Sequence, residues 1–391
     1  MDVNRPGFAY SWRTAVRLTA LALCWLACGP EHVSGMDAAM DAASGDADAN
    51  DAGVPGIPYV FVAGYYGAIS VYSIDPKSGS LGKPTIYPTG ARPSFLALAP
   101  NGKYLFASDG VNKRVLSFSV DRQTGALHKI NELATGSDGP AHLSVDRTGK
   151  WVLVAHYTAG TYAVLAVDID GRLRAVADSA PIGIQAHYIA MDRNNRFGMI
   201  ACLGSDYVAI RELDASMGKL SAATVPTVPL PAGSGPRHIA FSPDDKFVYV
   251  NGETASTVST LSFDDTTGRL EVVETVTTLP PGFTGTNTTA EIAVHPNGNY
   301  VYVSNRGDDS IARYRRNATT GTLTLLGHTK TGGKKPVSFS IDTEGRVLIA
   351  ANQDSQSIAV FTIDAATGGL TAVGSPIHVA FPNYVGIFDI Q

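Results

Sequence analysis

The sequence predicts an all-β fold: a seven-bladed β-propeller, each blade four short antiparallel strands, the ring closed by pairing the C-terminal strand with the N-terminal blade. Three observations carry this. The 391 residues include 40 Gly and 22 Pro, with only 17% charged, a balance that argues against coiled coils and long bundles and for strands joined by many turns. From residue 58 onward one motif recurs seven times, a strong sign of a repeat architecture. The two ends of that region carry complementary fragments of a single repeat.

Each repeat contains a strand-forming run, a polar residue, a Gly turn and a leucine that opens the next strand. Val71-Tyr72-Ser73-Ile74-Asp75 leads to Gly79 and Leu81, and Phe118-Ser119-Val120-Asp121 leads to Gly125 and Leu127. Further copies reach Leu173, Leu220, Leu270, Leu323 and Leu370, at successive spacings of 46, 46, 47, 50, 53 and 47 counted from Leu81. Between the copies lies a second apolar strand, as in Pro93-Ser94-Phe95-Leu96, Pro140-Ala141-His142-Leu143 and Ala186-His187-Tyr188-Ile189. Each of these runs to a turn such as Pro100-Asn101-Gly102 and then to a strand such as Lys103-Tyr104-Leu105-Phe106. Four strands in about 40–50 residues, with no room for helices, make one propeller blade.

The first copy begins at Tyr59-Val60-Phe61-Val62, already the second strand of a blade. Its missing innermost strand is Pro382-Asn383-Tyr384-Val385-Gly386-Ile387-Phe388 at the other end. Pairing the two completes the ring and hides two sheet edges that would otherwise be exposed. Residues 58–391 are therefore one domain.

The N-terminus reads as an address. Arg5, Arg13 and Arg17 precede an apolar run from Leu18 to Ala27, the pattern of a secretory signal peptide over 1–28, too short to span a bilayer. Leu26-Ala27-Cys28-Gly29 resembles a bacterial lipoprotein processing site, with Cys28 as the lipidated residue, although Trp25 stands where that motif prefers Leu. The alternatives are an ordinary cleaved signal and an uncleaved anchor. Residues 29–57 carry six acidic side chains and neither Lys nor Arg, and this Asp/Ala-rich stretch is expected to be a disordered linker. The expected location is outside the cytoplasm, at the bacterial cell envelope, periplasmic or secreted, with membrane attachment only through Cys28.

The chain has a net charge of −5 and a pI near 6.0, and residues 58–391 account for −1 of it. Such a domain has no electrostatic footprint for nucleic acid. Cys24 and Cys28 fall in the signal region, leaving Cys202 alone within strand-like residues, where it reads as a buried structural thiol. No Cys/His pair has zinc-ligand spacing, no loop reads as a calcium site, and no Gly-x-Ser-x-Gly elbow is present. Neither metal nor cofactor is implied.

The second half is more specific. Gly235-Pro236-Arg237-His238-Ile239-Ala240-Phe241-Ser242-Pro243, Thr278-Leu279-Pro280-Pro281-Gly282-Phe283, Tyr302-Val303-Ser304-Asn305-Arg306-Gly307, Thr331-Gly332-Gly333 and Ala351-Asn352-Gln353-Asp354-Ser355 follow in order. These motifs resemble the seven-bladed lactonase family, which includes propeller-type 6-phosphogluconolactonases and carboxy-muconate cyclases. The resemblance covers 58–391 and is sharpest over 235–370. It implies metal-independent hydrolysis of a sugar or related lactone at one mouth of the central channel, by a monomer. The catalytic residues it implies are His187, Arg237, Glu253 and Arg306, with His238, Glu291 and Asn305 binding substrate. Opening a lactone needs a base for water, donors for the tetrahedral oxyanion, and cations for any substrate phosphate or carboxylate. Glu253 or His187 is the base; Arg237 and Arg306 hold the anionic group or the oxyanion.

Three positions depart from the family pattern. Gly252 stands for Asn before Glu253, Ala293 stands for His two residues after Glu291, and Val337 stands for Arg. Loss of a cation and an imidazole from the mouth would change the substrate or abolish hydrolysis. The competing function is a non-catalytic envelope propeller that binds a glycan, peptide or protein through the same face, because a fold does not dictate its chemistry.

Overall fold

Seven sheets are arranged as the repeats predict, and the computed structural model describes residues 57–390. The signal peptide, Cys28 and nearly all of the acidic linker lie outside the described residues. Blade 1 is Ile57–Gly64, Ala68–Ser73 and Thr85–Pro88 with Pro382–Ile390 added as the innermost strand. Blades 2 to 7 occupy residues 93–134, 140–181, 186–229, 236–277, 289–330 and 336–378. The outer strand of blade 7 is broken into Leu370–Ala372 and Ile377–His378, which makes that sheet five-stranded. Among the described residues the helical content is one 3₁₀ turn, Leu203–Ser205.

The closure is antiparallel and in register over most of its length, with Tyr59 opposite Phe388, Phe61 opposite Gly386 and Ala63 opposite Tyr384. Val385 and Ile387 pack with Val60, Val62, Ile349 and Ile358 on the blade 7 side, while Tyr384 and Ile390 pack with Phe61, Leu96 and Leu105 on the blade 2 side.

The second strand of a blade is covered on both faces, which removes the in-out alternation of a half-exposed strand. Phe197–Cys202, Phe247–Gly252, Tyr300–Asn305 and Val347–Asn352 are buried at every residue. Cys202 ends one of them, and burial pushes its thiol up to about 12. That is the inert state of a structural cysteine.

The repeating Asp-to-Gly segment is the latch between blades. In blade 5, Asp264 Oδ1 accepts hydrogen bonds from the Thr266 amide at 2.9 Å and the Thr267 amide at 3.3 Å, and Gly268 donates back to the Asp264 carbonyl at 2.8 Å. Gly268 is left-handed at φ 74° and lies on the Phe197 ring of blade 4, where a Cβ would come within 2.6 Å. Gly218 lies on Trp151 in the same way, and the Trp151 indole donates to the Ala215 carbonyl at 2.8 Å. The aromatic that opens one blade's second strand thus receives the glycine turn of the next blade. At the junction of blade 7 with blade 1 the receiving residues are Val347 and Val360, beneath Gly79.

Candidate active site

The inner strands set the geometry of the channel. Each of the seven shows a register shift at its mouth end, for example between Pro140 and His142 and between Pro236 and Ile239. A bulge adds one unpaired residue and re-aims the side chains beside it. Two consecutive residues of each inner strand lie at this shift. The second residues of the strands are Asn383, Ser94, Ala141, His187, Arg237, Ala290 and Val337; the third are Tyr384, Phe95, His142, Tyr188, His238, Glu291 and Ser338. A third set, following the second strands, is Tyr65, Gly110, Tyr157, Leu203, Glu253, Arg306 and Gln353.

Members of these three sets line a cavity of about 800 Å³, among them His187, Arg237, His238, Glu291 and Arg306. Glu253 stands behind the arginines: its Oε2 is 2.9 Å from Arg237 Nε and its Oε1 is 2.8 Å from Arg306 Nη2. The Arg237 contact lies off the N–H direction, so Nε of Arg237, like Nε of Arg306, is a buried donor without an aligned acceptor. Arg306 Nη2 donates to the Thr289 carbonyl at 3.0 Å. Burial and the neighbouring Arg306 charge pull Arg237 down to about 10, still a cation at neutral pH.

Arg237 Nη1 donates to the Ala290 carbonyl at 2.5 Å and to His238 Nε2 at 3.0 Å. A guanidinium cannot accept. His238 must therefore carry its proton on Nδ1, which donates to Glu291 Oε1 at 2.7 Å. Burial pushes the Glu291 carboxyl up to about 8, so at neutral pH it holds a proton. Asn251 fixes the pair from behind, accepting from the His238 amide at 2.9 Å and donating to Thr289 Oγ1 at 2.8 Å.

His187 faces Tyr157 and His238 with ring centroids 5.5 and 5.2 Å away, and its Nδ1 has no hydrogen-bond partner. Burial, then the Arg237 charge, holds it well below 6.5. Beneath it, Tyr384, Phe95, His142, Tyr188 and His238 form a continuous arc of rings, with centroids 3.8 to 5.0 Å apart. His142 and His238 are likewise held well below 6.5, chiefly by burial. His156, at the end of a blade 3 strand, is lowered to about 4 for the same reason.

These shifts fix the sign of an acid effect on stability. Four imidazoles stay neutral in the fold and take up protons only on unfolding, so below pH 6.5 the unfolded chain binds more protons and stability falls. Glu291 acts in the opposite direction between 4.5 and about 8, one group against four. Each unbalanced proton is worth about 1.4 kcal/mol per pH unit. The denaturant midpoint is expected to drop between pH 7 and pH 5.5; a flat or rising midpoint would show that these imidazoles are not held neutral.

The comparisons with known proteins match this architecture. Residues 59–387 match the family described as Lactonase, 7-bladed beta-propeller. The chain belongs to that lactonase family. A 6-phosphogluconolactonase of Pectobacterium atrosepticum is 32% identical over 235 residues, 60% of this chain and 69% of the relative. One from Bacillus subtilis is 28% identical over 285 residues, 68% of this chain and 80% of the relative. Among solved structures, the periplasmic gluconolactonase of Pseudomonas aeruginosa superimposes with a TM-score of 0.79 at 26% identity, covering 85% of this chain and all of that one.

Within this lactonase scaffold the expected residues separate into two groups. His187, Arg237, His238, Glu291 and Arg306 line one cavity, with Glu253 bridging the arginines. Asn305 does not line it. Its side chain is buried, accepting from Thr278 Oγ1 at 2.7 Å and Asn287 Nδ2 at 2.9 Å and donating to the Thr278 carbonyl at 2.8 Å, so it shapes the loop that carries Arg306. Of the three departures, Val337 alone lines the cavity. Gly252 sits where the Ser234 carbonyl would come within 2.8 Å of a Cβ, a close backbone approach. Ala293 packs toward the cluster of Tyr302, Phe339 and Leu348, so no imidazole is lost from the cavity lining there. The ring arc and Tyr157 were not singled out from sequence; aligning the third residue of every inner strand would have exposed the arc.

Proposed function

We propose that the protein hydrolyses a sugar or related lactone at this mouth of the channel, with His187 as the base. The observation that carries the reading is a group of three buried polar atoms in residues around one cavity: His187 Nδ1 and Arg306 Nε have no hydrogen-bond partner, and Arg237 Nε has only the poorly aligned Glu253 Oε2 beside it. Buried unpaired polar groups are costly and rare in native structures, and a proton acceptor beside two fixed donors is the set that acyl transfer needs. His187 is neutral at pH 7 and takes a proton from water as its oxygen attacks the lactone carbonyl. The oxyanion of the tetrahedral intermediate is received by the two guanidinium groups. When the ring C–O bond breaks, the His187 proton passes to the departing ring oxygen, leaving a hydroxy acid. Glu253, with both oxygens beside guanidinium groups, orients the donors and is less suited to act as base.

The exported location to which the N-terminal address points favours an unphosphorylated sugar lactone, and the likeness to a periplasmic gluconolactonase supports this. The test is turnover of glucono-δ-lactone and 6-phosphogluconolactone by the purified chain, above the buffer rate. Arg306→Lys keeps the positive charge near Glu253 and removes the Nε donor. It is expected to lower kcat about 10²–10³-fold on both lactones. A rise in KM confined to the phosphorylated lactone would make Arg306 an anion holder; no turnover of either would leave the non-catalytic reading.

A further inference from the structure

We propose that the blade 1 side of the cavity is a second subsite, built to take a further sugar ring carried by the lactone. The proposal rests on the lactonase reading, and it starts from a backbone feature. The residue before an inner strand is left-handed in several blades: Gly139 at φ 71°, Gly235 at 63°, Gln185 at 55°, Lys335 at 60° and Phe381 at 39°. Blades 3 and 5 use glycine there, the residue that adopts this conformation without steric cost. A bulky side chain at positive φ is an outlier that strains the backbone. Phe381 recovers little of that through burial, since its side chain is 50% exposed. Stability of the fold does not account for an aromatic at this place.

Its neighbours are of the same kind. Tyr65 and Tyr66 are 45% and 40% exposed, and with Phe381 they line the cavity that holds His187 and the two arginines. The Tyr65 backbone and the Tyr66 ring are held in place. The Tyr65 amide donates to the Phe381 carbonyl at 3.2 Å, and the Tyr66 hydroxyl shares a 2.7 Å hydrogen bond with Ser70. The Tyr66 ring lies over Gly64, where a Cβ would stand 2.4 Å from it. Three exposed aromatic side chains thus form a shelf on the blade 1 side of the cavity.

The polar groups beside the shelf select the ligand class. Asn383 donates to the Ser94 carbonyl at 2.9 Å and accepts from Gln353 at 3.0 Å, and Arg92 stands exposed on the same cavity. Aromatic faces bordered by amide and guanidinium groups match a pyranose, which has an apolar C–H face and a rim of hydroxyls. An alkyl chain would set apolar surface against the exposed Arg92 guanidinium and give it no hydrogen bond. A volume of about 800 Å³ is in the range that encloses a drug-sized ligand and is several times that of one six-membered lactone.

The test separates binding from turnover. Calorimetric titration of the full chain with gluconate and with cellobionate, the one-ring and two-ring aldonates, is expected to show cellobionate bound about tenfold or more tightly. Phe381→Gly relaxes the backbone and removes the ring, so it is expected to abolish that difference while gluconate binds as before and the melting temperature holds. The lactones of the same two acids are expected to differ in KM in the same sense. Equal affinity for the two aldonates, binding of neither, or an equal loss of both in Phe381→Gly overturns the subsite. Turnover of gluconolactone without a two-ring preference overturns the subsite alone. Preferential cellobionate binding without turnover of either lactone upholds the subsite and overturns the hydrolase.

Discussion

Deleting residues 382–391 is expected to leave a chain that aggregates instead of folding to a soluble monomer. The innermost strand of blade 1 pairs along Ile57–Gly64 from Ile57 opposite Ile390 to Gly64 opposite Pro382. Its Tyr384, Val385, Ile387 and Ile390 are buried in two different inter-blade clusters. Burial of one large apolar side chain contributes about 1.5–3 kcal/mol. Losing four such groups removes an amount comparable to the whole stability of a typical domain, about 5–15 kcal/mol. The deletion also bares the edge of Ile57–Gly64, a template for pairing with other chains. Size-exclusion chromatography and thermal melting decide the matter. A soluble monomer with unchanged melting would mean that the pairing does not hold the ring.

The second large effect is expected at His187. His187→Gln keeps a hydrogen-bonding side chain of similar reach and removes the base, so kcat should fall about 10²–10⁴-fold with little change in KM. The pH profile offers a separate check. An imidazole held well below 6.5 stays neutral through mildly acidic pH, so no inflection should appear near 6.5. An alkaline limb is expected near 8, where Glu291 gives up its proton and places a negative charge on the floor of the cavity. Glu291→Gln should flatten that limb. An acidic inflection near 6.5 that survives in His187→Gln would assign the titrating base to another group.

The ring was legible in the sequence because its parts repeat. Seven leucines at near-equal spacing follow a turn that runs from Asp to Gly in six blades and from Asn317 to Gly321 in the other, and the structure shows why these residues recur: the side-chain oxygen closes the turn, and at six junctions the glycine leaves space for the ring of the preceding blade. Closure was legible because Tyr59-Val60-Phe61-Val62 cannot begin a blade. The site was legible in part. It was legible only through the family resemblance, which pointed to His187, Arg237, His238 and Glu291, found here on inner strands, and to Glu253 and Arg306, found just after second strands. The partnership of Arg237, Glu253 and Arg306 was not readable, because it joins side chains of two blades whose separation depends on the tilt of the sheets. That Asn305 lies away from the cavity was not readable for a related reason. It adjoins Arg306 in sequence, yet it ends a strand whose every residue is buried, so its amide turns inward to Thr278 and Asn287.

The glycine-on-aromatic latch runs one way round the ring, each blade holding the turn of the one that follows it. Six junctions share this device, from Tyr59 with Gly125 to Tyr300 with Gly368. A glycine turn laid on an aromatic ring carries little address of its own: the ring is Tyr, Trp or Phe at different junctions, and each accepts the same kind of turn. What tells one successor from another is left to the apolar clusters that differ from junction to junction. Ile57 and Ile390 face one another across the closing strands, so a short bridge there and a cut in another outer turn describe the same wheel read from a different spoke.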